Sequence, residues 1–87
     1  MNTILVVDDD PAILSGITIL LEQAGYHVLQ ASNGADARRL LANKPDLVIL
    51  DIMLPDDDGI ELCRVIRQQT HDTPVLMNQY ITIKHQH

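Results

Sequence analysis

The chain has 87 residues, 46% of them hydrophobic and 21% charged, with a net charge of −6. That length holds one domain around one core and leaves no room for a second. The acidic balance argues against gripping nucleic acid phosphates, which takes a basic face, and the apolar runs fall far short of a bilayer span.

Thr3 to Val7 is an apolar, β-rich run that stops at Asp8-Asp9-Asp10. It does not alternate with polar residues, as expected of a strand covered on both faces. Asp10-Pro11 then reads as a helix N-cap followed by proline in the first helical position. Ile13, Leu14, Ile17, Leu20 and Leu21 recur at helical spacing, and Gly25 supplies a stop. The spacing predicts a first helix from Pro11 to about Ala24.

His27 to Ala31 is a second short strand. Ser32-Asn33-Gly34 is turn chemistry that can also open a helix. Ala35, Ala37, Leu40 and Leu41 give that helix its apolar side, and Lys44-Pro45 ends it. Leu47 to Leu50 is the third strand and ends at Asp51. Ile52 to Asp58 is a loop containing Pro55. Gly59 to about Gln69 is a third helix with Leu62, Cys63 and Ile66 inward. Thr73-Pro74 leads into a fourth strand, Val75 to Met77. Asn78 to His87 fits the pattern poorly; its alternation suits an extra strand and not a helix.

Strands alternating with helices through short links predict an α/β fold with a parallel sheet and helices on its faces. With two Tyr and no Phe or Trp, the core must be aliphatic. Cys63 stands alone, so no internal disulfide forms and a cytoplasmic setting is the simplest one. It reads as a small buried hydrophobe.

In a parallel sheet the ends of the first and third strands share one edge. Asp8, Asp9 and Asp51 therefore meet in a crevice at the carboxyl ends of the strands, where such sheets bind ligands. Three carboxylates in one crevice repel, and a hard divalent cation with oxygen ligands is the natural compensation. Mg²⁺ needs only one or two carboxylates plus water, which leaves positions for phosphate oxygens. A phosphate held beside Asp51 is placed for attack by its carboxylate.

The ordered set Ile4-Leu5-Val6-Val7-Asp8-Asp9-Asp10, Asn33-Gly34, Pro45-Asp46-Leu47-Val48-Ile49-Leu50-Asp51-Ile52-Met53-Leu54-Pro55, Asp58-Gly59 and Thr73-Pro74-Val75-Leu76-Met77 resembles the receiver domain of bacterial two-component response regulators. The resemblance implies a flavodoxin-like doubly wound sheet with strand order 2-1-3-4 and three helices. It implies Asp51 as phosphoacceptor, and Mg²⁺ held by Asp8, Asp9, Asp51 and the backbone carbonyl of Met53. It implies a sensor histidine kinase or phosphotransfer protein as partner, and a signalling role instead of an enzyme's.

Two departures accompany it. The family's Ser or Thr at the end of the fourth strand falls at Gln79, and its lysine at the end of a fifth strand has no counterpart. Lys84 is a poor substitute, because a tight turn after the fourth strand would carry it about 17 Å away over five residues. The expectation is a receiver unit over residues 1–77, truncated before its last helix, strand and helix, with an atypical tail over 78–87 and impaired signalling. An open sheet edge then invites a second copy to pair.

Other readings sit beside this one. A non-signalling fragment that self-associates or binds a kinase keeps the same fold. A small aspartyl phosphatase of the haloacid-dehalogenase type would use Asp8-x-Asp10, but the chain has little room for that family's further motifs. A nucleotide-binding strand is excluded by the lack of any Gly-x-x-x-x-Gly-Lys. Asp56-Asp57-Asp58 reads as a solvated loop, and His85-x-His87 as an unstructured terminus.

Overall fold

The computed structural model describes residues 2–52, 54–56, 58–70 and 72–78. The elements run β1 (Thr3–Val7), α1 (Pro11–Gln23), β2 (His27–Ala31), α2 (Gly34–Leu40), β3 (Leu47–Asp51), α3 (Gly59–Gln69) and β4 (Val75–Asn78). A single 3₁₀ turn, Leu41–Asn43, extends α2. The four strands form one parallel sheet in the order β2-β1-β3-β4. This is the expected flavodoxin-like order. The proposed tail strand, Gln79, Lys84 and the two terminal histidines lie outside the described residues.

The strand order dictates where the helices go. The chain steps from β1 to β2 in one direction, then returns across β1 to β3 and on to β4. Parallel crossovers are right-handed, so the reversal puts α1 on one face and α2 and α3 on the other. Leu5 and Val7 of β1 join Val48 and Leu50 of β3, Ala37 of α2, Leu41 of the 3₁₀ turn, and Leu62 and Ile66 of α3 in one buried cluster. Ile4 and Val6 alternate with them and are buried from the α1 side. Full burial of each such aliphatic side chain is worth about 1.5–3 kcal/mol.

Local chemistry sets the helix ends. The Asp10 carboxylate accepts from the backbone N–H of Ala12 at 2.9 Å and of Ile13 at 3.3 Å, with Pro11 opening α1. Gly25 ends the helix at φ 96°, which a side chain would strain, and donates to the Glu22 carbonyl. Asp10→Ala should lower stability by about 1 kcal/mol, read by urea unfolding.

The apolar stripe of α1 differs from its sequence expectation. Leu20 is 67% exposed, whereas Thr18 is buried. The Thr18 hydroxyl donates to the Leu14 carbonyl at 2.7 Å and accepts from the Gln30 amide of β2 at 2.8 Å. A polar side chain thus takes an inward position because both of its hydrogen-bonding needs are met. Cys63 is half-buried at the margin of the core, not fully enclosed. β3 and β4 each run one residue beyond expectation, to Asp51 and Asn78, and these two residues are register partners.

Candidate metal and phosphoacceptor site

The register of β1 on β3 pairs Val7 with Leu50. The next residues along, Asp8 and Asp51, therefore leave the sheet side by side. The main chain of Asp8 is fixed by its N–H donating to the Ala31 carbonyl at 3.0 Å. Its carboxylate accepts from the Asp10 N–H at 2.9 Å, which orients the side chain. Asp8 and Asp51 are each only 1% exposed, and Asp9 is half-buried.

Carboxylate oxygens of Asp8, Asp9 and Asp51 lie within 4.8 Å of one another. Close carboxylates shielded from water repel strongly, and the donor set is all oxygen. Such a set fits a small hard dication with open positions better than a thiolate- or imidazole-seeking metal. Asp10 is not in the cluster, because its carboxylate is committed to capping α1. The Asp8-x-Asp10 phosphatase reading thus lacks its second acid within this cluster. Met53, expected to add a backbone carbonyl, lies outside the described residues.

The loop after Asp51 is built from several ties. At its base the Gly59 N–H donates to the Ile52 carbonyl at 2.8 Å. Leu54 packs against the core. Asp58 caps α3 by accepting from the Ile60 N–H at 3.0 Å. Asp56 reaches across to α2, accepting from the N–H of Gly34 at 2.7 Å and of Ala35 at 3.1 Å. The acidic run expected to be merely solvated thus holds two helix caps; Asp57 lies outside the described residues.

The Asp56 carboxyl is held below the usual aspartate range, chiefly by the Gly34 N–H, then by Ala35, its own backbone N–H and the Arg38 charge, against an opposing effect of burial. A lowered folded-state value means that this contact contributes fully above the unfolded-state pKa and is lost as pH falls through the folded-state value. The Gly34 and Ala35 amide resonances should therefore stay constant from neutral pH down into the usual aspartate range and move only below it. A midpoint at or above the ordinary aspartate value would contradict the bidentate contact.

A separate groove of about 600 Å³ lies near the starts of β3 and β4, lined by residues including Arg38, Lys44, Asp46 and Thr73. It is remote from the three carboxylates.

The response regulator receiver domain model matches residues 4–85. The chain belongs to the response regulator receiver domain family. Among curated receiver-containing relatives, it is 48% identical over 75 residues to the alkaline phosphatase synthesis transcriptional regulatory protein PhoP of Bacillus subtilis, covering 85% of this chain and 31% of that protein. It is 46% identical over 77 residues to the transcriptional regulatory protein CpxR of Escherichia coli, covering 88% and 33%. The chain thus spans about a third of these relatives.

Solved receiver structures agree. The non-phosphorylated HemR receiver domain of Leptospira biflexa matches with a TM-score of 0.84 at 31% identity, over 97% of this chain and 73% of that one. The chemotaxis response regulator CheY4 of Vibrio cholerae matches with 0.84 at 32%, over 88% and 67%. Receiver domains are signalling domains that bind Mg²⁺ at such an acidic cluster and interact with histidine kinases or phosphotransfer proteins. No helix among the described residues is long and apolar enough to cross a membrane.

Proposed function

We propose that this receiver is a Mg²⁺-dependent phosphoacceptor in a two-component phosphorelay, with Asp51 as the acceptor. The convergence of Asp8, Asp9 and Asp51 within 4.8 Å at the carboxyl edge of the sheet carries the reading. Asp8, Asp9 and Asp51 would hold the cation, and the family resemblance would add the backbone carbonyl of Met53. When bound, Mg²⁺ supplies positive charge for the carboxylates and the incoming phosphoryl oxygens.

An Asp51 carboxylate oxygen attacks phosphorus. The new O–P bond forms as the bond to the donor imidazole nitrogen breaks, and the histidine keeps that electron pair. The donor is a sensor histidine kinase or a phosphotransfer protein, and the exchange takes place in the cytoplasm. Residues 1–77 are the phosphoacceptor unit. The net charge of −6 over the 87 residues supports a role without direct nucleic acid contact by this chain.

Incubation with Mg²⁺ and acetyl phosphate, read by intact mass, tests this. Wild type should gain one phosphoryl group and Asp51→Asn none. A wild-type chain that stays unmodified in saturating Mg²⁺ overturns the reading.

A second reading, self-association of a non-signalling module, is favoured by one observation. β4 is an outer strand of the described sheet, and its Leu76 is 59% exposed. An open strand edge bearing an apolar side chain suits a second copy of the same chain. Light scattering should give a mass that rises toward the dimer with concentration; a constant monomer mass rejects it.

A further inference from the structure

The Asp56 contact joins two parts of the chain that are 21 and 22 residues apart in sequence. Its two oxygens satisfy the first two N–H groups of α2, while the Asn33 side chain accepts from the third, that of Asp36, at 2.8 Å. The helix start is therefore capped jointly, from its own N-cap and from the loop that follows Asp51. That loop is pinned at its base by Gly59 on Ile52 and at Leu54 by the core. Among the described residues, Ile52, Leu54 and Asp56 are thus each tied to a neighbouring element.

We infer that Asp56 is a positioning residue for the phosphoacceptor site: its bidentate grip on Gly34 and Ala35 holds the loop that shapes the cation and phosphoryl positions beside Asp51. The inference rests on the phosphoacceptor reading above and adds a residue to it. Asp56 is exposed and is not one of the three grouped carboxylates; it acts through the backbone of the loop. Two consequences follow from the geometry. Releasing the grip frees the segment next to Asp51, so cation binding and phosphoryl acceptance both weaken. It also frees the start of α2, so the helix and the site are linked through one carboxylate.

The test compares the wild-type chain, Asp56→Ala and Asp56→Asn. Each is titrated with Mg²⁺ alone, followed by backbone amide resonances, and then phosphorylated with acetyl phosphate. Buried partners that orient metal ligands cost about 10–100-fold when removed. An exposed contact should cost less, about 3–10-fold in Mg²⁺ midpoint and phosphorylation rate for Asp56→Ala. Asp56→Asn keeps an acceptor oxygen of the same shape and should recover part of the loss.

An Asp56→Ala protein that melts at a lower temperature yet binds Mg²⁺ with the wild-type midpoint overturns the inference, because the residue would then serve the fold alone. If wild type itself takes no Mg²⁺, the phosphoacceptor reading fails instead. The amide resonances then decide the remaining question: perturbation reaching Asp51 and Ile52 supports the positioning role, and perturbation confined to Gly34 and Ala35 rejects it. Asp56→Asn, which preserves side-chain volume, serves for the same comparison if the alanine variant does not fold.

Discussion

Replacing Asp51 with asparagine should abolish phosphoryl acceptance and at the same time stabilise the metal-free protein. The first outcome follows from the chemistry, since a carboxamide oxygen is a poor nucleophile and no other carboxylate occupies its place at the end of β3. The second follows from electrostatics. Asp8 and Asp51 are both about as buried as core leucines, and their oxygens lie within 4.8 Å. One pair of unit charges at such a distance repels by about 1 kcal/mol in bulk water and about 4 kcal/mol near a protein surface. Removing one charge should raise metal-free stability by a value inside that range. Urea unfolding in the presence of a chelator measures it.

Mg²⁺ should narrow that gap. At ten times its dissociation constant a ligand stabilises the folded state by about 1.4 kcal/mol, which for a domain of this size raises Tm by about 6–11 °C. Wild type should show that rise, and Asp51→Asn less than half of it. Asp8→Asn should behave similarly, since its carboxamide oxygen can still accept from the Asp10 N–H. A wild-type protein more stable than Asp51→Asn in chelator would mean that the three carboxylates are not in net repulsion. The expectation of a cation at this site would then lose its physical basis.

The sequence made the cluster legible because its causes are local. Each aspartate follows an apolar strand, and a parallel sheet forces the ends of two such strands together. The N-cap at Asp10 and the stop at Gly25 were equally legible, since both act within one helical turn. Asp56 was not. Its donors are more than twenty residues upstream, and nothing in Asp56-Asp57-Asp58 distinguishes a residue that bridges from one that is merely solvated. Asp58 could have been read from the following glycine and the apolar helix behind it. Leu20 and Thr18 failed for another reason. Periodicity identifies a helix, but which arc of it faces the sheet depends on hydrogen-bonding partners, here Gln30 on the neighbouring strand.

Gly59→Ala should do more harm than any other single-methyl change in the loop. A Cβ at Gly59 would collide with the backbone carbonyl oxygen and Cα of Ile52. The demand is for space and not for φ, because Gly59 is not in the left-handed region. No rotamer change relieves the clash, since the obstructing atoms are main chain. The loop must open at its base, losing the Gly59 N–H to Ile52 carbonyl bond. Overpacking of this kind costs about 1–3 kcal/mol, and opening the loop moves Ile52, the residue next to Asp51.

Stability loss alone does not identify the mechanism, so Leu62→Ala is the comparison. Leu62 is fully buried in the core on α3, and its truncation should cost about 2–5 kcal/mol through the cavity it leaves. That loss lowers the folded fraction without moving the loop. The two variants should therefore separate when Mg²⁺ binding is read from the folded population alone. Leu62→Ala should keep the wild-type midpoint, and Gly59→Ala should be weakened. Equal midpoints in both would show that the close approach of Gly59 to Ile52 serves chain packing only, and that the site does not depend on how the loop after Asp51 is closed.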